Sequence, residues 1–300
     1  MSPHGSCHSP WGLLRDREDE PEDGAHTLFR WLGAAGIELQ SAGQVLAIDP
    51  YFTRLPFRRQ MFGRVAPDGA LVATHMPLCD VVLVTHAHYD HLLDVPEVAR
   101  NSGARVYGSA NTCGLLRALG VPEGQIRQVG AGDTLSLGAF QVQVLPAVHR
   151  RTPGFGPGRL SSDLRPPLRA RDYRMDSALS FLIAAQDVRL LTDPGGPLHV
   201  EQPVDLLFLA PHLGPGRYGP ILCAVRPKTV IPSHWDDFWR PLSKPLRPML
   251  CPPRWALPPL GRVNLVAFRK GVEQIVPGAI VFVPEVLRVY DVMAEALRHP

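Results

Sequence analysis

A strand-rich α/β architecture is what the sequence predicts, and three observations predict it. Short apolar runs recur from His26 onward, each of strand length and bounded by Gly-containing turns. Two stretches between them have helical length and end at glycine. Polar residues stand repeatedly at the ends of the apolar runs. The composition agrees with a folded chain: of 300 residues, 45% are hydrophobic and 20% charged, which excludes long-range disorder, a collagen-like repeat or a coiled coil. Lys and Arg number 31 against 28 Asp and Glu, so the net charge of +3 gives no whole-chain argument for binding nucleic acid, and none is expected as a partner. The 32 prolines favour rigid loops over long helices.

Residues 1–24 are expected to form a flexible charged tail, because RDREDEPED (15–23) is nearly free of apolar side chains. The remainder, 25–300, is read as a single domain. TLFRWLG, GIELQ and QVLAIDP suit a β-meander. Val81 to Val84 form a continuous apolar run, the pattern of a strand buried on both faces. Leu92 to Arg100 reads as a short helix ending near Asn101 and Gly103, ARVYGS as a strand, and Ala110 to Leu119 as a helix ending at Gly120. FQVQVLPAVH alternates cleanly and runs into a polar end. Residues 150–176 are rich in Gly, Pro and Arg without a period and are expected to be a long functional loop. SALSFLIAA, VRLLTDPGG, DLLFLAPHLG and KTVIPSH read as strands. NLVAFRK and AIVFVPEVLRVYDVMAEAL add a strand or two and a terminal helix. No internal repeat is present.

The cysteines, Cys7, Cys79, Cys113, Cys223 and Cys251, are odd in number and form no C-x-x-C pair, so neither a disulfide framework nor a thiolate zinc site is expected. The N-terminus has no apolar core of signal-peptide length. No apolar run reaches the roughly 18 residues of a membrane span. A soluble, cytoplasmic protein is the expectation.

The segment His86-Ala87-His88-Tyr89-Asp90-His91 places four metal-ligand types within six positions, directly after a buried strand. Each imidazole or carboxylate buried there needs a partner, and a metal supplies one. His86 and His88 alternate and can point the same way, whereas Asp90 and His91 start the following helix and can face a second point. One metal can take the first pair and a second metal the other. A polar loop with Asp90 as helix cap explains only one of the four residues.

The H-x-H-x-D-H pattern resembles the signature of the metallo-β-lactamase-fold hydrolases, and the resemblance extends over about residues 27–240. His149 closes FQVQVLPAVH, Asp193 lies in VRLLTDPGG and His234 ends KTVIPSH, each after an apolar strand and in the family's order. The resemblance implies an αββα sandwich: two mixed sheets packed face to face with helices outside and the metals at the strand ends. It implies one metal held by His86, His88 and His149, another by Asp90, His91 and His234, and Asp193 bridging them. Imidazole and carboxylate suit zinc, and also iron or manganese, so two divalent ions are the expected cofactors, zinc foremost. Two such ions roughly 3.5–4 Å apart can share a hydroxide formed from a water of pKa near 7, which attacks an electrophilic carbon or phosphorus. Asp90 is the candidate catalytic residue, orienting that hydroxide or shuttling a proton.

Further candidates surround this set. Asp49 ends QVLAIDP, where the family has an early Asp-Pro turn supporting the site, and a plain turn residue is the competing reading. His212 in LAPHLGPG also follows an apolar strand and is a candidate substrate contact. Tyr89 is read as packing beside the loop; His75 and His199 as surface residues; His4, His8, His26 and His299 as terminal residues without a role. Arg150, Arg151, Arg159, Arg165, Arg169, Arg171 and Arg174 follow His149, and Arg forks suit phosphate or carboxylate. That loop is therefore expected to form a flap biasing the site toward anionic small molecules, against the alternative of a solvated basic surface.

The opening WLGAAGIEL and the late IPSHWDDF are most similar to the branch holding ascorbate-6-phosphate lactonase and related hydrolases. HAHYDHLLD also resembles the N-acyl-phosphatidylethanolamine phospholipase D group. Gly33-Ala34-Ala35-Gly36-Ile37 departs from the usual opening by lacking a histidine. The expected function is metal-dependent hydrolysis of an ester, lactone or phosphodiester. The alternatives are a non-catalytic metal-binding or regulatory protein on the same fold and a nuclease of the same superfamily.

Overall fold

The strand period of two assigns Val81, Val82 and Leu83 to opposite faces of one strand, and all three are buried. Val81 and Leu83 join an apolar layer with side chains from a second sheet, while Val82 packs outward against helices. That division, repeated strand by strand, builds four layers. The computed structural model describes residues 26–149, 157–198, 200–201, 203–251 and 261–292. The expected tail at 1–24 lies outside them.

The first sheet contains β1 (Leu28–Gly33), β2 (Gly36–Ser41), β3 (Gln44–Ile48), β4 (Val81–Leu83), β5 (Arg105–Gly108) and β6 (Ile126–Gln128). The second contains β7 (Thr134–Leu137), β8 (Phe140–Ala147), β9 (Ala178–Ala185), β10 (Val188–Leu191), β11 (Leu206–Leu209) and β12 (Thr229–Pro232). Late in the chain, β13 (Leu250–Cys251) and β14 (Gly261–Arg262) pair with each other, β15 (Ile280–Val281) joins the second sheet, and β16 (Val289–Asp291) joins the first. The strand orders are β16-β1-β2-β3-β4-β5-β6 and β15-β12-β11-β10-β9-β8-β7. Both sheets are mixed: β1 to β3 pair antiparallel and β3 to β6 parallel, while β7 to β10 pair antiparallel and β10, β11, β12 and β15 parallel.

Phe29, Ile37, Ile48 and Leu83 meet Val142, Phe181, Phe208 and Ile231 between the sheets. The helices α1 (Phe57–Phe62), α2 (Gly69–His75), α3 (Tyr89–Leu92), α4 (Val95–Ser102) and α5 (Ala110–Ala118) lie in the first half of the chain. Leu92, Val95, Val98, Leu115 and Leu116 cover the outer face of the first sheet. On the second, α6 (Pro215–Val225) and α7 (Leu265–Ile275) bury Ile221, Leu222, Phe268 and Val272 against Leu207 and Leu209. The αββα sandwich is thus the observed architecture.

Several elements differ from the sequence reading. The helix expected over Leu92 to Arg100 is α4, which starts later, at Val95, and ends at Ser102 before Gly103, with α3 a separate turn ahead of it and Pro96 in the first turn of α4. NLVAFRK is the start of α7 and not a strand: Asn264 caps it by accepting from Ala267 N at 2.9 Å, and Leu265, Phe268, Val272 and Ile275 repeat at helical spacing. The expected terminal helix falls largely beyond residue 292, outside the described residues. His75 is half-buried and not a surface residue, since its ring lies 5.4 Å from Phe52 and its carbonyl accepts from Arg30.

The segment 157–176 packs on the first sheet's outer layer. Leu168, Ala170 and Tyr173 are buried in that layer's core, Asn111 Nδ2 donates to the carbonyls of Gly158 and Arg174, and Asp176 accepts from Ser109 Oγ at the start of α5. Polar side chains at Asn111 and Asp176 thus replace the missing period.

Asp94 links α3 to the segment after β3. Fully buried, its carboxylate accepts from Phe52 N at 2.5 Å, Thr53 N at 2.8 Å and Thr53 Oγ1 at 2.5 Å. Burial raises its pKa from the ordinary 3.8 to about 6 against the pull of those hydrogen bonds. A carboxyl whose folded pKa exceeds its unfolded one stabilises when protonated, so its contribution is present below about pH 4 and lost as pH rises through about 6. Wild type should lose stability across that window relative to Asp94→Asn, which does not titrate. Urea unfolding at stepped pH measures the difference, and parallel curves would contradict the assignment.

Candidate metal centre

Six side chains of metal-ligand type converge where strand ends of both sheets meet. From β4 the chain passes through Thr85 to His86 and His88, then enters α3 with Asp90 and His91; all four are buried. The end of β8 brings His149 and the end of β12 brings His234, both part-buried. Donor atoms of His86, His88 and His149 lie within 4.8 Å of one another, and so do those of Asp90, His91 and His234. The two groups touch through His86 and His91, whose rings are 3.9 Å apart. His86 Nε2 is 3.1 Å from His88 Nδ1, and His234 Nε2 is 3.2 Å from Asp90 Oδ2.

This crowding determines the charge states. Burial, reinforced by the neighbouring imidazoles, holds His86 well below the usual histidine range and lowers His88 to about 4. Both rings are therefore neutral near pH 7 and offer lone pairs. Burial pushes the Asp90 carboxyl up, but His91, His234 and His88 outweigh it and hold it below the usual carboxylate range. Burial pulls His91 down, and the Asp49 and Asp90 carboxylates more than offset that pull. Neutral imidazoles at His86 and His88 beside an ionised Asp90 are donors that fit a divalent cation.

Asp193, after β10, lines the same cavity but belongs to neither group of three. Its Oδ1 accepts from Gly195 N at 2.7 Å and its Oδ2 from Ala210 N at 2.8 Å, and burial raises its pKa. Gly195 has φ +65°, and a Cβ there would fall 1.9 Å from the Val148 carbonyl oxygen, so glycine is what lets the loop after β10 close onto the residue before His149.

Asp49 is more than a turn residue. Its Oδ1 accepts from Thr85 N at 2.8 Å, and its Oδ2 accepts from Thr85 Oγ1 and, at 2.7 Å, from His91 Nδ1. It thereby orients the His91 ring and leaves Nε2 for the cavity. His212 lines the cavity with its ring 6.0 Å from that of His234. Tyr89 is buried edge-on to Tyr51 as packing requires. Arg150, Arg151 and His199 lie outside the described residues. Among those described, no Arg or Lys lines the cavity. Arg165 pairs with Asp163, and Arg169 donates to the Phe62 carbonyl.

Sequence reasoning missed Thr85, Arg54 and Asp236. Arg54 and Asp236 form a fully buried ion pair at 2.7 Å. Asp236 Oδ1 accepts from Ala34 N at 3.0 Å, and the Ala34 carbonyl accepts from His234 N at 2.8 Å. The ion pair thus braces the turn against which His234 is held, and His234 itself has left-handed backbone at φ +53°. Gly33, at φ +88°, has no Cβ to collide with the Arg54 guanidinium. The unusual Gly-Ala-Ala-Gly turn therefore serves as a clamp. The paired acids in HWDDF are a usable signal for Asp236; nothing in the sequence marks Arg54 as its partner.

A family model described as a beta-lactamase superfamily domain matches residues 45–235. The chain is 25% identical over 214 residues to a UPF0173 metal-dependent hydrolase of Pyrobaculum arsenaticum, covering 70% of this chain and 84% of the relative. It is 29% identical over 225 residues to one from Myxococcus xanthus, covering 71% of each. A metallo hydrolase from Ignicoccus hospitalis superimposes with a TM-score of 0.56 at 16% identity, covering 88% of this chain and 97% of that one. A metallo-beta-lactamase fold protein from Bacillus subtilis gives 0.54 at 13% identity, over 89% and 100%. These two likenesses establish the fold.

Asp236→Ala strands the Arg54 charge in the interior and should cost about 3–5 kcal/mol in chemical denaturation. Replacing both partners with apolar residues should recover much of that loss. A loss below about 1 kcal/mol for the single variant would show that the pair is not the clamp.

Proposed function

The chain belongs to the beta-lactamase superfamily, and from that premise we propose that this metal-dependent hydrolase cleaves an ester, lactone or phosphodiester with two divalent ions, zinc foremost. The observation that carries the reading is the meeting of two complete donor groups, His86/His88/His149 and Asp90/His91/His234, in one cavity. His86, His88 and His149 would hold one ion and Asp90, His91 and His234 the other, with Asp193 in the wall of the same cavity as a further carboxylate donor. When bound, the pair supplies Lewis acidity and a water acidified to a pKa of about 7.

The chain's own residues do the rest. Asp90, kept ionised by its imidazole neighbours, accepts and returns the proton of the attacking water. Asp49 keeps the His91 ring in one orientation through the cycle. Backbone N–H groups of Gly195 and Ala210 hold the Asp193 carboxylate in place. His212, on the cavity wall, is positioned to contact substrate or leaving group. The expectation of an anionic substrate rests on the Arg-rich segment, and none of its described arginines lines the cavity.

Elemental analysis of protein reconstituted with zinc is expected to find two ions per chain, falling to one in His149→Ala. Protein that takes up no metal would end the reading. Asp193→Ala is expected to reduce metal content and hydrolysis together, whereas His212→Ala retains its metal and loses less activity. Equal and small losses in the two variants would remove Asp193 from its assigned role.

A further inference from the structure

Resting on the hydrolase reading, we propose that the group beside the scissile bond is uncharged and apolar, the acyl chain of a carboxylic ester or thioester. The cavity holds about 400 Å³, enough for a small organic molecule. Beyond the donor groups its apolar walls include Val148, Leu179, Phe238, Trp239, Met249 and Leu250, with Gln60, Thr192 and Ser233 among the polar ones. The remaining ionisable wall residues are the carboxylates Asp49 and Asp193, the imidazole His212 and the phenol Tyr89, and among the described residues no Arg or Lys faces the interior. An anionic arm would meet no Arg fork there, whereas an alkyl chain would bury its length against carbon.

The apolar wall does not stop at the mouth. Phe57 of α1 packs edge-on against Trp239, with centroids 5.3 Å apart, and is half exposed. Met61, one helical turn further along α1, is 43% exposed. Trp239 is itself pinned by its Nε1–H to Gln60 of α1, so its indole is a fixed wall. Exposed apolar side chains that are contiguous with a binding cavity mark a ligand surface. The track from Met61 through Phe57 and Trp239 toward the donor groups is the path we assign to the acyl chain. Hydrolysis then needs only water as co-reactant: the acyl carbon gains a bond to the water oxygen and loses its bond to the alcohol or thiol. The displaced proton leaves with that alcohol or thiol.

The test uses the zinc-reconstituted full chain and p-nitrophenyl esters from acetate to decanoate, with p-nitrophenyl hemisuccinate as the anionic comparison. kcat/KM is expected to rise roughly fourfold per added methylene over the first several carbons. The octanoate-to-acetate ratio should fall at least tenfold in Trp239→Ala. Leu250→Asn, at an exposed position, should lower the same ratio and covers the case in which Trp239→Ala does not fold. A flat chain-length series, or a preference for hemisuccinate, would overturn the proposal while leaving the hydrolase reading intact. Fluorescence titration with N-butyl acetamide and N-butyl decanamide separates the two readings. Tighter decanamide binding without turnover of any ester supports the apolar track and removes carboxylic-ester hydrolysis from the hydrolase reading. Equal binding of both amides overturns the apolar track whether or not any ester is cleaved.

Discussion

Everything at the site depends on the apolar layer between the two sheets. Phe29, Ile48, Leu83, Phe181, Phe208 and Ile231 can leave water together only if the sheets face each other, and that burial is the main favourable term available to the chain. Its geometric consequence is local. In each sheet the strands next to the site run parallel, β3 beside β4 and β10 beside β11 and β12, so their C-terminal ends finish side by side. Asp49, His86, Asp193, His212 and His234 all follow such ends. Parallel pairing at the mouth of an α/β sheet is the arrangement that brings distant residues together outside the carboxyl ends of strands.

Packing alone does not orient polar side chains, and three buried carboxylates supply that orientation. Asp49 joins the end of β3 to Thr85 and His91. Asp94 joins the far end of α3 to Phe52 and Thr53. Asp236 joins Arg54 to the turn that receives His234. Each accepts from backbone N–H groups, which is what makes a buried carboxylate tolerable and its removal costly. Asp49 and His234 also hold left-handed backbone, with φ of +46° and +53°. Such conformations cost of order 1–3 kcal/mol each and persist only where the surroundings over-determine them. The strain sits at the residues that aim ring nitrogens into the cavity.

The cavity combines a polar floor with apolar walls. Dry surroundings keep His86 and His88 neutral and strengthen every interaction between Asp90 and its imidazole neighbours. No helix among the described residues is long and apolar enough to cross a membrane. Phe57 of α1 packs on Trp239, a residue of the cavity wall.

The sequence pattern by itself determined a strand-rich α/β chain and the ligand-type cluster at 86–91, while the layered sandwich and the parts of His149 and His234 followed from the family resemblance. Strand alternation, the unbroken Val81–Val84 run and His86-x-His88-x-Asp90-His91 are local patterns, and local patterns survive in one dimension. It misled where local pattern does not encode the outcome. The helix at Leu265–Ile275 begins with four apolar residues and looks like a strand until Asn264 is seen capping it. The 157–176 segment has no period because its Asn111 and Asp176 contacts are side-chain bonds across 47 to 67 residues of chain. Only the tertiary structure decided that Asp49 grips His91, that Arg54 pairs with Asp236, and that Phe57 of α1 packs on Trp239. Each of these joins residues far apart in the chain, 42, 182 and 182 positions for Asp49–His91, Arg54–Asp236 and Phe57–Trp239. A buried charge chooses its partner by proximity after the core has formed, so its partner is written in the packing and not in the order of residues.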